Sequence, residues 1–128
     1  MISTLICLAT NIYFEARSEP STASLIAVAE VTLNRVESPY YPDTVCEVVW
    51  QDKQFSWTHD GKSDKPYEKE AYNRALLIAK IMLDDRDYRP SVVGKKATHY
   101  HATYVRPYWA KGEKPIKRIG KHIFYDLQ

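Results

Sequence analysis

The 128-residue chain is poor in cysteine and has no long apolar run, and each shortage excludes a class of protein. Its two cysteines, Cys7 and Cys46, could pair, but they are too few for a disulfide framework or a zinc knuckle, and we expect two buried thiols. The apolar opening, residues 1–9, has no basic start and is far too short to span a bilayer. We therefore expect neither a signal peptide nor stable membrane insertion.

A strong excess of charge of either sign is also absent, since the net charge is only +2. Nucleic-acid-binding domains usually carry a concentrated basic patch; none is evident here, so we expect no nucleic acid partner. The composition, 45% hydrophobic and 27% charged, is typical of a globular protein. Because no linker, repeat or low-complexity segment divides the chain, residues 1–128 are predicted to form one domain, and we expect a monomer.

Aromatic residues, by contrast, are abundant: there are ten tyrosines and three tryptophans. Rings with a polar tip suit a groove that stacks on sugars or bases, although they also fill protein cores. The composition is therefore compatible with a binding groove and with a purely structural use of the rings.

Four segments have the apolar spacing of helices. The first carries an apolar stripe that ends at Ala16. Ser21 is predicted to cap a second helix that extends to Val36, and Asp43 to cap a short third one. The clearest helical pattern occupies residues 66–82 and opens with a proline.

The character of the chain changes after Pro90. Residues 97–102 and 119–125 have the pattern of short strands, and the loop 105–118 separates them. Two such strands predict a small antiparallel ribbon beside the helices. The predicted fold class is α+β and mainly helical.

Glu15 stands at the edge of the first apolar stripe, three residues after Ile12. Partial desolvation raises the pKa of a carboxyl group, and a raised pKa lets glutamic acid donate a proton near neutral pH. The position predicts a general acid; the alternative is a boundary glutamate with its carboxylate in water. Glu19, which precedes Pro20, is expected to be solvated at the end of the helix.

Metal ligands could come from His99, His101 and His122 near the C-terminus and from His59, since alternate residues of a strand share a face. H-x-H alone is a weak pattern, and the chain has no H-E-x-x-H, so structural or substrate-facing roles are favoured. A metal-dependent amidase or peptidase built on His99, His101 and His122 is the alternative.

Two further polar features have more than one interpretation. Asn34 and Arg35 lie near the end of the second predicted helix, where arginine commonly caps carbonyl groups. The segment Gln54-Phe55-Ser56 mixes an amide, a ring and a hydroxyl. Such a loop suits ligand binding and simple connection equally well.

Five blocks of sequence, in order and over nearly the whole chain, carry a resemblance to a known family. The chain resembles the cell-wall hydrolase family typified by SleB, the spore cortex-lytic enzyme, and CwlJ. The blocks are residues 13–19 (YFEARSE), 27–29 with 33–36 (AVA, LNRV), 41–46 (YPDTVC), 54–56 (QFS) and 119–125 (IGKHIFY).

The resemblance implies a lysozyme-like fold, related to resuscitation-promoting-factor and lytic transglycosylase domains. It implies cleavage of peptidoglycan between N-acetylmuramic acid and N-acetylglucosamine, with Glu15 as the catalytic acid and without metal or cofactor. The expected glycan-binding residues are Gln54, Phe55, Ser56, Tyr100, Tyr104 and Trp109, with supporting roles for Tyr13, Arg17, His101 and His122.

Glycoside hydrolysis by retention or inversion uses two carboxylates, whereas a lytic transglycosylase uses one. Only Glu15 has both the position and the resemblance, so we expect 1,6-anhydro-muramic ends. Hydrolytic muramidase activity and a non-catalytic glycan-binding module are the alternatives. Without a signal peptide or a wall-binding domain, the chain is expected to be a phage or prophage endolysin. It would stay in the host cytoplasm until release and act in the periplasm or cell wall.

Overall fold

Four α-helices and one antiparallel sheet make up the described part of the chain. The computed structural model describes residues 3–19, 21–51, 68–85 and 87–127. None of the helices in these ranges is both long enough and apolar enough to cross a membrane. The elements are α1 (Thr4–Ala16), α2 (Thr22–Val36), α3 (Val45–Val49), α4 (Lys69–Asp84), β1 (His99–Ala102), β2 (Lys117–Ile119) and β3 (His122–Tyr125).

α1 is the central helix and packs against α2, α3 and α4. It begins after Ser3, whose hydroxyl accepts a hydrogen bond from the backbone N–H of Ile6 at 3.2 Å. The predicted apolar stripe faces the core, where Leu8 and Ala16 are fully buried. Because the helix ends at Ala16, Glu15 lies in its last turn.

Side-chain caps also set the starts of the next two helices. Ser21 caps α2 as predicted and accepts a hydrogen bond from the N–H of Ser24 at 3.2 Å. The predicted cap of α3 is wrong by one residue, because Thr44 and not Asp43 accepts the N–H of Glu47, at 3.2 Å. The Thr44 hydroxyl also donates to the Glu47 carboxylate at 2.7 Å, and this double pairing favours threonine as the cap.

A disulfide joins Cys7 of α1 to Cys46 of α3, so the prediction of two free thiols is wrong. The cysteines are 39 residues apart in sequence, yet their Cα atoms are 5.3 Å apart, a distance that a disulfide can span. The packing of α3 on α1 creates this proximity. The bond fastens the helix that carries Glu15 to its neighbour.

β3 lies in the middle of the sheet, between β1 and β2, and both pairs of strands are antiparallel. The predicted two-stranded ribbon is therefore incomplete. The segment 119–125, predicted as one strand, turns at Gly120 and Lys121. β2 begins at Lys117, within the predicted loop.

The sheet has a helix-facing side and an outer face, because successive side chains of a strand point in opposite directions. Tyr100 of β1 and Phe124 of β3 are opposite each other and pack against the core of the helices. The outer face carries His99, His101, Ile123 and Tyr125.

Polar residues of α2 hold the chain where it enters β1. The buried Glu30 carboxylate accepts the backbone N–H groups of residues 92–93, both at 2.8 Å. One turn later, Asn34 donates to the carbonyls of Gly94 and Ala97, both at 2.8 Å. These bonds satisfy backbone groups of an irregular segment, and they fix where β1 begins.

Glu19 is buried, with 2% of its surface exposed, so the prediction of a solvated glutamate is wrong. Its carboxylate accepts the backbone N–H of Lys121 at 2.8 Å and lies 3.4 Å from Nδ1 of His122. The turn between β2 and β3 therefore closes on the end of α1. At the tip of this turn Gly120 has φ +56°, and a Cβ there would overlap the Glu19 carboxylate.

We expect Gly120→Ala to lower the free energy of unfolding by more than the ~1–2 kcal/mol that a positive φ alone costs. The added methyl group must also displace the Glu19 carboxylate. Gly112→Ala is the matched control, because Gly112 has φ +79° and nothing lies within 4 Å of its Cβ position. Urea denaturation measures both variants, and equal losses would contradict the importance of the Glu19 contact.

Candidate active site

Three polar side chains from three elements come together at the end of α1. Glu15 lies in the last turn of α1, Arg35 in the last turn of α2 and Tyr100 in β1. The Tyr100 hydroxyl and the positive charge of Arg35 both act on the Glu15 carboxyl group. Arg35 is almost completely buried; Glu15 is partly exposed as a residue, but its carboxyl group is buried. A carboxyl group, a cation and a phenol therefore lie close together in a largely buried site.

A main-chain contact sets the position of Arg35. Its Nε donates to the carbonyl of Thr98 at 2.8 Å, and its guanidinium carbon lies 5.1 Å from the centre of the Tyr41 ring. Arg35 does bind a carbonyl group, as predicted, but this carbonyl belongs to the segment that enters β1 and not to its own helix. Because Tyr100 follows Thr98 by two residues, the contact also holds Tyr100 beside Glu15.

The surroundings of Glu15 change its acidity. Burial raises the pKa of Glu15 to about 7 from an ordinary value of 4.5. The charge of Arg35 and the Tyr100 hydroxyl act in the opposite direction, because both favour the carboxylate, but their effect is smaller. At neutral pH Glu15 is therefore divided between acid and carboxylate, so one group can donate a proton and later accept one.

Tyr100→Phe removes a hydroxyl that favours the Glu15 carboxylate, so we expect the pKa of Glu15 to rise further. Activity that requires protonated Glu15 should then persist to higher pH. The alkaline limb of the kcat/KM profile should therefore shift to higher pH. Tyr88→Phe, at an exposed tyrosine, is the control. A limb that stays in place or moves to lower pH would contradict the influence of the Tyr100 hydroxyl on Glu15.

His122 and Glu19 lie behind Tyr100. The His122 ring contacts the Tyr100 ring edge-on, with centroids 5.2 Å apart, and its Nδ1 faces the Glu19 carboxylate at 3.4 Å. Burial lowers the pKa of His122, while the Glu19 charge opposes that effect. His122, expected in a supporting role, thus packs against Tyr100.

His99, His101 and Tyr125 form an aromatic cluster with Trp109 on the outer face. Nε2 of His101 is 2.8 Å from the Tyr125 hydroxyl, and its Nδ1 is 2.7 Å from the carbonyl of Ala102. A carbonyl only accepts, so we assign the proton to Nδ1, and the Tyr125 hydroxyl then donates to Nε2. Both ring nitrogens of His101 are engaged within the protein.

The three C-terminal histidines do not converge on one point. His99 and His101 lie on the outer face, whereas His122 is on the helix-facing side, beside Glu19. Burial, with the charge of Arg35, lowers the pKa of His99 to about 4. In the described ranges no three His, Cys, Asp or Glu side chains are placed to hold a metal ion. The geometry gives no support to a metal-dependent site built on these histidines.

Tyr13 and Arg17 belong to the contact between α1 and α4. The buried Tyr13 hydroxyl accepts the backbone N–H of Glu68 at 3.1 Å and an Arg17 N–H at 3.2 Å. Arg17 also lies 3.3 Å from the Glu68 carboxylate. α4 begins at Lys69, and the predicted start at Pro66 lies outside the described residues. These contacts position the start of α4.

The expected glycan-binding residues fall into three groups. Tyr100 is in the site beside Glu15. Tyr104 and Trp109 are at the surface, 81% and 36% exposed. The remaining positions, Gln54, Phe55 and Ser56, lie outside the described residues.

Sequence reasoning missed the parts that Arg35 and Glu19 play around the site. A signal was present, because each is a charged residue beside an apolar helical stripe and each lies in a block that carries the family resemblance. A charged residue among apolar neighbours usually needs a buried partner. The sequence does not show that the partners are the segment before β1 and the turn before β3.

Most of the chain matches a known protein family. The family model described as Cell Wall Hydrolase (Hydrolase_2) matches residues 19–125, which include Arg35 and Tyr100. The chain belongs to the cell wall hydrolase family. The matched range begins four residues after Glu15, so the comparison itself says nothing about that residue.

Curated relatives in this family include two spore cortex-lytic enzymes. The enzyme of Halalkalibacterium halodurans is 37% identical over 117 residues, and that of Bacillus subtilis is 36% identical over 119 residues. Both alignments cover 91% of this chain but only 33% and 35% of the relatives. The chain thus spans about a third of the length of the curated relatives it matches.

Solved structures show the same fold. The catalytic domain of the germination-specific lytic transglycosylase SleB from Bacillus anthracis has a TM-score of 0.71 and 32% identity, covering 95% of this chain and 93% of that one. The Bacillus cereus SleB catalytic domain has a TM-score of 0.68 and 33% identity, covering 95% and 89%. The predicted SleB/CwlJ-type resemblance and the mainly helical, lysozyme-like α+β fold are confirmed.

Proposed function

We propose that this chain is the catalytic domain of a peptidoglycan lytic transglycosylase. It cleaves the bond between N-acetylmuramic acid and N-acetylglucosamine and leaves 1,6-anhydro-muramic ends. The observation that carries the proposal is the Glu15 carboxyl group, whose pKa is about 7 beside Arg35 and Tyr100. Membership of the cell wall hydrolase family supports the substrate, and likeness to a SleB domain described as a lytic transglycosylase supports the reaction.

One acid/base group is sufficient for both halves of this reaction. Protonated Glu15 donates to the glycosidic oxygen, the bond from C1 of the muramic acid breaks, and N-acetylglucosamine leaves as an alcohol. The muramic acid's own 6-hydroxyl then attacks C1, and its proton passes to the Glu15 carboxylate. Glu15 ends protonated as it began, and neither water nor a metal takes part.

Arg35 and Tyr100 stabilise the deprotonated form of Glu15 that exists between the two steps of the reaction. Once the proton has left, a carboxylate remains in a poorly solvated place, and the guanidinium charge and the phenol hydroxyl stabilise it. Hydrolysis with retention or inversion would need a second carboxylate. Glu19 is engaged with Lys121 and His122, which favours a mechanism with Glu15 alone.

Mass spectrometry of the soluble fragments released from purified peptidoglycan tests the proposal. We expect muropeptides that end in 1,6-anhydro-muramic acid, and the yield should survive thorough chelation. Reducing muramic ends would instead identify a hydrolytic muramidase, and free peptides would identify an amidase. Binding without any release would identify a glycan-binding module.

Tyr104→Ala is expected to spare the melting temperature while lowering turnover on glycan. The Tyr104 ring is 81% exposed, so its truncation removes little packing, but it would remove a surface on which a sugar ring can stack. Tyr88→Ala, at a residue 85% exposed, should change neither quantity. Unchanged turnover in Tyr104→Ala would remove this residue from the glycan-binding groove.

We further propose that the protein acts in the periplasm or cell wall as an endolysin that is released from the host cytoplasm. The Cys7–Cys46 disulfide supports an oxidising place of action, since cytosolic thiols are generally kept reduced. Expression in a bacterial cytoplasm with and without a pore-forming partner tests this role. Lysis should require the pore, and lysis without it would contradict the proposal.

A further inference from the structure

Charge is strongly segregated along the chain, although the net charge is only +2. Residues 93–128 contain eight basic residues (Lys and Arg) but only two acidic residues (Asp and Glu). Residues 1–92 contain ten basic and fourteen acidic residues. The last segment therefore carries about +6 and the rest about −4. All eight basic residues of the last segment are exposed. The small net charge therefore conceals a local excess of positive charge in the last segment.

A groove of about 560 Å³ opens within this basic segment, and we call it the outer groove. It lies between the outer face of the sheet and the loop that follows β1. His101 and Tyr125 line it from the sheet, and Arg106, Tyr108 and Lys111 line it from the loop. Among the residues that the structure describes, its lining includes no carboxylate. The outer groove thus offers two cations without a competing acid.

The outer groove is separate from the place where Glu15 meets Tyr100. Tyr100 points to the helix-facing side of β1, whereas the next residue, His101, points to the outer face and lines the groove. A ligand in the outer groove would therefore lie across the sheet from Glu15. It would add to binding of the cleaved glycan and not replace it.

We propose that the outer groove binds the free carboxylates of the short peptides attached to peptidoglycan. The proposal rests on the proposed substrate, in which such peptides project from the muramic acids of every strand. Arg106 and Lys111 pair with carboxylates, and the Tyr108 ring, 93% exposed, offers an apolar surface to the peptide backbone. A second contact on the same polymer raises the residence of the enzyme without taking part in cleavage.

Binding to insoluble peptidoglycan that has been freed of phosphate-bearing wall polymers tests the proposal. The protein carries Glu15→Gln, so that cleavage does not interfere. Half of the peptidoglycan is treated with carbodiimide and methylamine, which caps the peptide carboxylates and leaves the glycan intact. The variant Arg106→Gln/Lys111→Gln is compared with Lys69→Gln/Lys80→Gln, which removes two exposed cations from α4.

We expect capping, and separately Arg106→Gln/Lys111→Gln, to weaken binding at least ~5-fold at low salt, as two exposed ion pairs allow. The α4 variant should bind as the parent protein does, and raised salt should abolish the differences. Equal binding to capped and uncapped peptidoglycan would overturn the proposal. Binding that is restored only by adding a phosphodiester wall polymer would also overturn the proposal, because it would identify phosphate as the ligand.

A small soluble glycan without peptides should still be cleaved by the enzyme with Arg106→Gln/Lys111→Gln. Loss of that cleavage would place these residues in the glycan site instead.

Discussion

Glu15→Gln is expected to reduce the release of anhydro-muropeptides at least ~100-fold, the lower bound for one positioned acid/base. Glutamine has nearly the same shape as glutamic acid but cannot release a proton. Because glutamine fills the same space beside Arg35 and Tyr100, the fold should be unchanged. Initial rates on purified peptidoglycan, with a circular dichroism spectrum of the same sample, measure both effects.

Glu70→Gln, at an exposed residue in the first turn of α4, is the control and should keep full activity. Glu19→Gln is not a neutral control, because the buried Glu19 carboxylate holds Lys121 and faces His122. A folded Glu15→Gln protein that retains most of its activity would remove Glu15 from the mechanism.

The pH dependence of stability gives this variant a second readout. The pKa of Glu15 is about 7 in the folded protein and 4.5 ordinarily, so the folded state binds the proton more tightly than the unfolded state. The stabilisation from this proton is complete below pH 4.5 and is lost as the pH rises towards 7. Compared with Glu15→Gln, the parent protein should therefore lose stability between these two pH values.

Removal of the Cys7–Cys46 disulfide is expected to cause the largest loss of stability. Closing a loop over 39 residues restricts the unfolded chain by about 4 kcal/mol through loop-closure entropy. For a domain of this size that corresponds to a fall of roughly 10–20 °C in Tm. Differential scanning calorimetry of the oxidised protein, of the reduced protein and of Cys7→Ser/Cys46→Ser measures the loss.

The double variant serves as its own control, because a reductant should lower the Tm of the parent protein and leave that of Cys7→Ser/Cys46→Ser unchanged. A loss below ~1 kcal/mol would show that the folded core holds α3 on α1 without the bond. A loss of the expected size would mean that the protein gains a substantial part of its stability after it reaches an oxidising compartment.

The sequence by itself determined the local structure around the site. The stripe that ends at Ala16 and the Ser21 cap predicted α1 and α2, because helix periodicity and capping depend on residues three or four positions apart. The same periodicity placed Glu15 at the edge of a buried face, and its raised pKa fits that position. The α3 cap was predicted one residue early, since Asp43 and Thr44 are both good caps and only the pairing with Glu47 distinguishes them.

Only the tertiary structure decided which residues surround Glu15. Arg35 is 20 residues from Glu15 and Tyr100 is 85 residues away, and they meet because α2 binds the segment that enters β1. The Cys7–Cys46 bond and the burial of Glu19 under the β2–β3 turn are contacts of the same kind. Such contacts depend on how whole elements pack, and no periodicity within a segment encodes the partner. The acid could therefore be found in the sequence, whereas the groups that tune it could be found only in the fold.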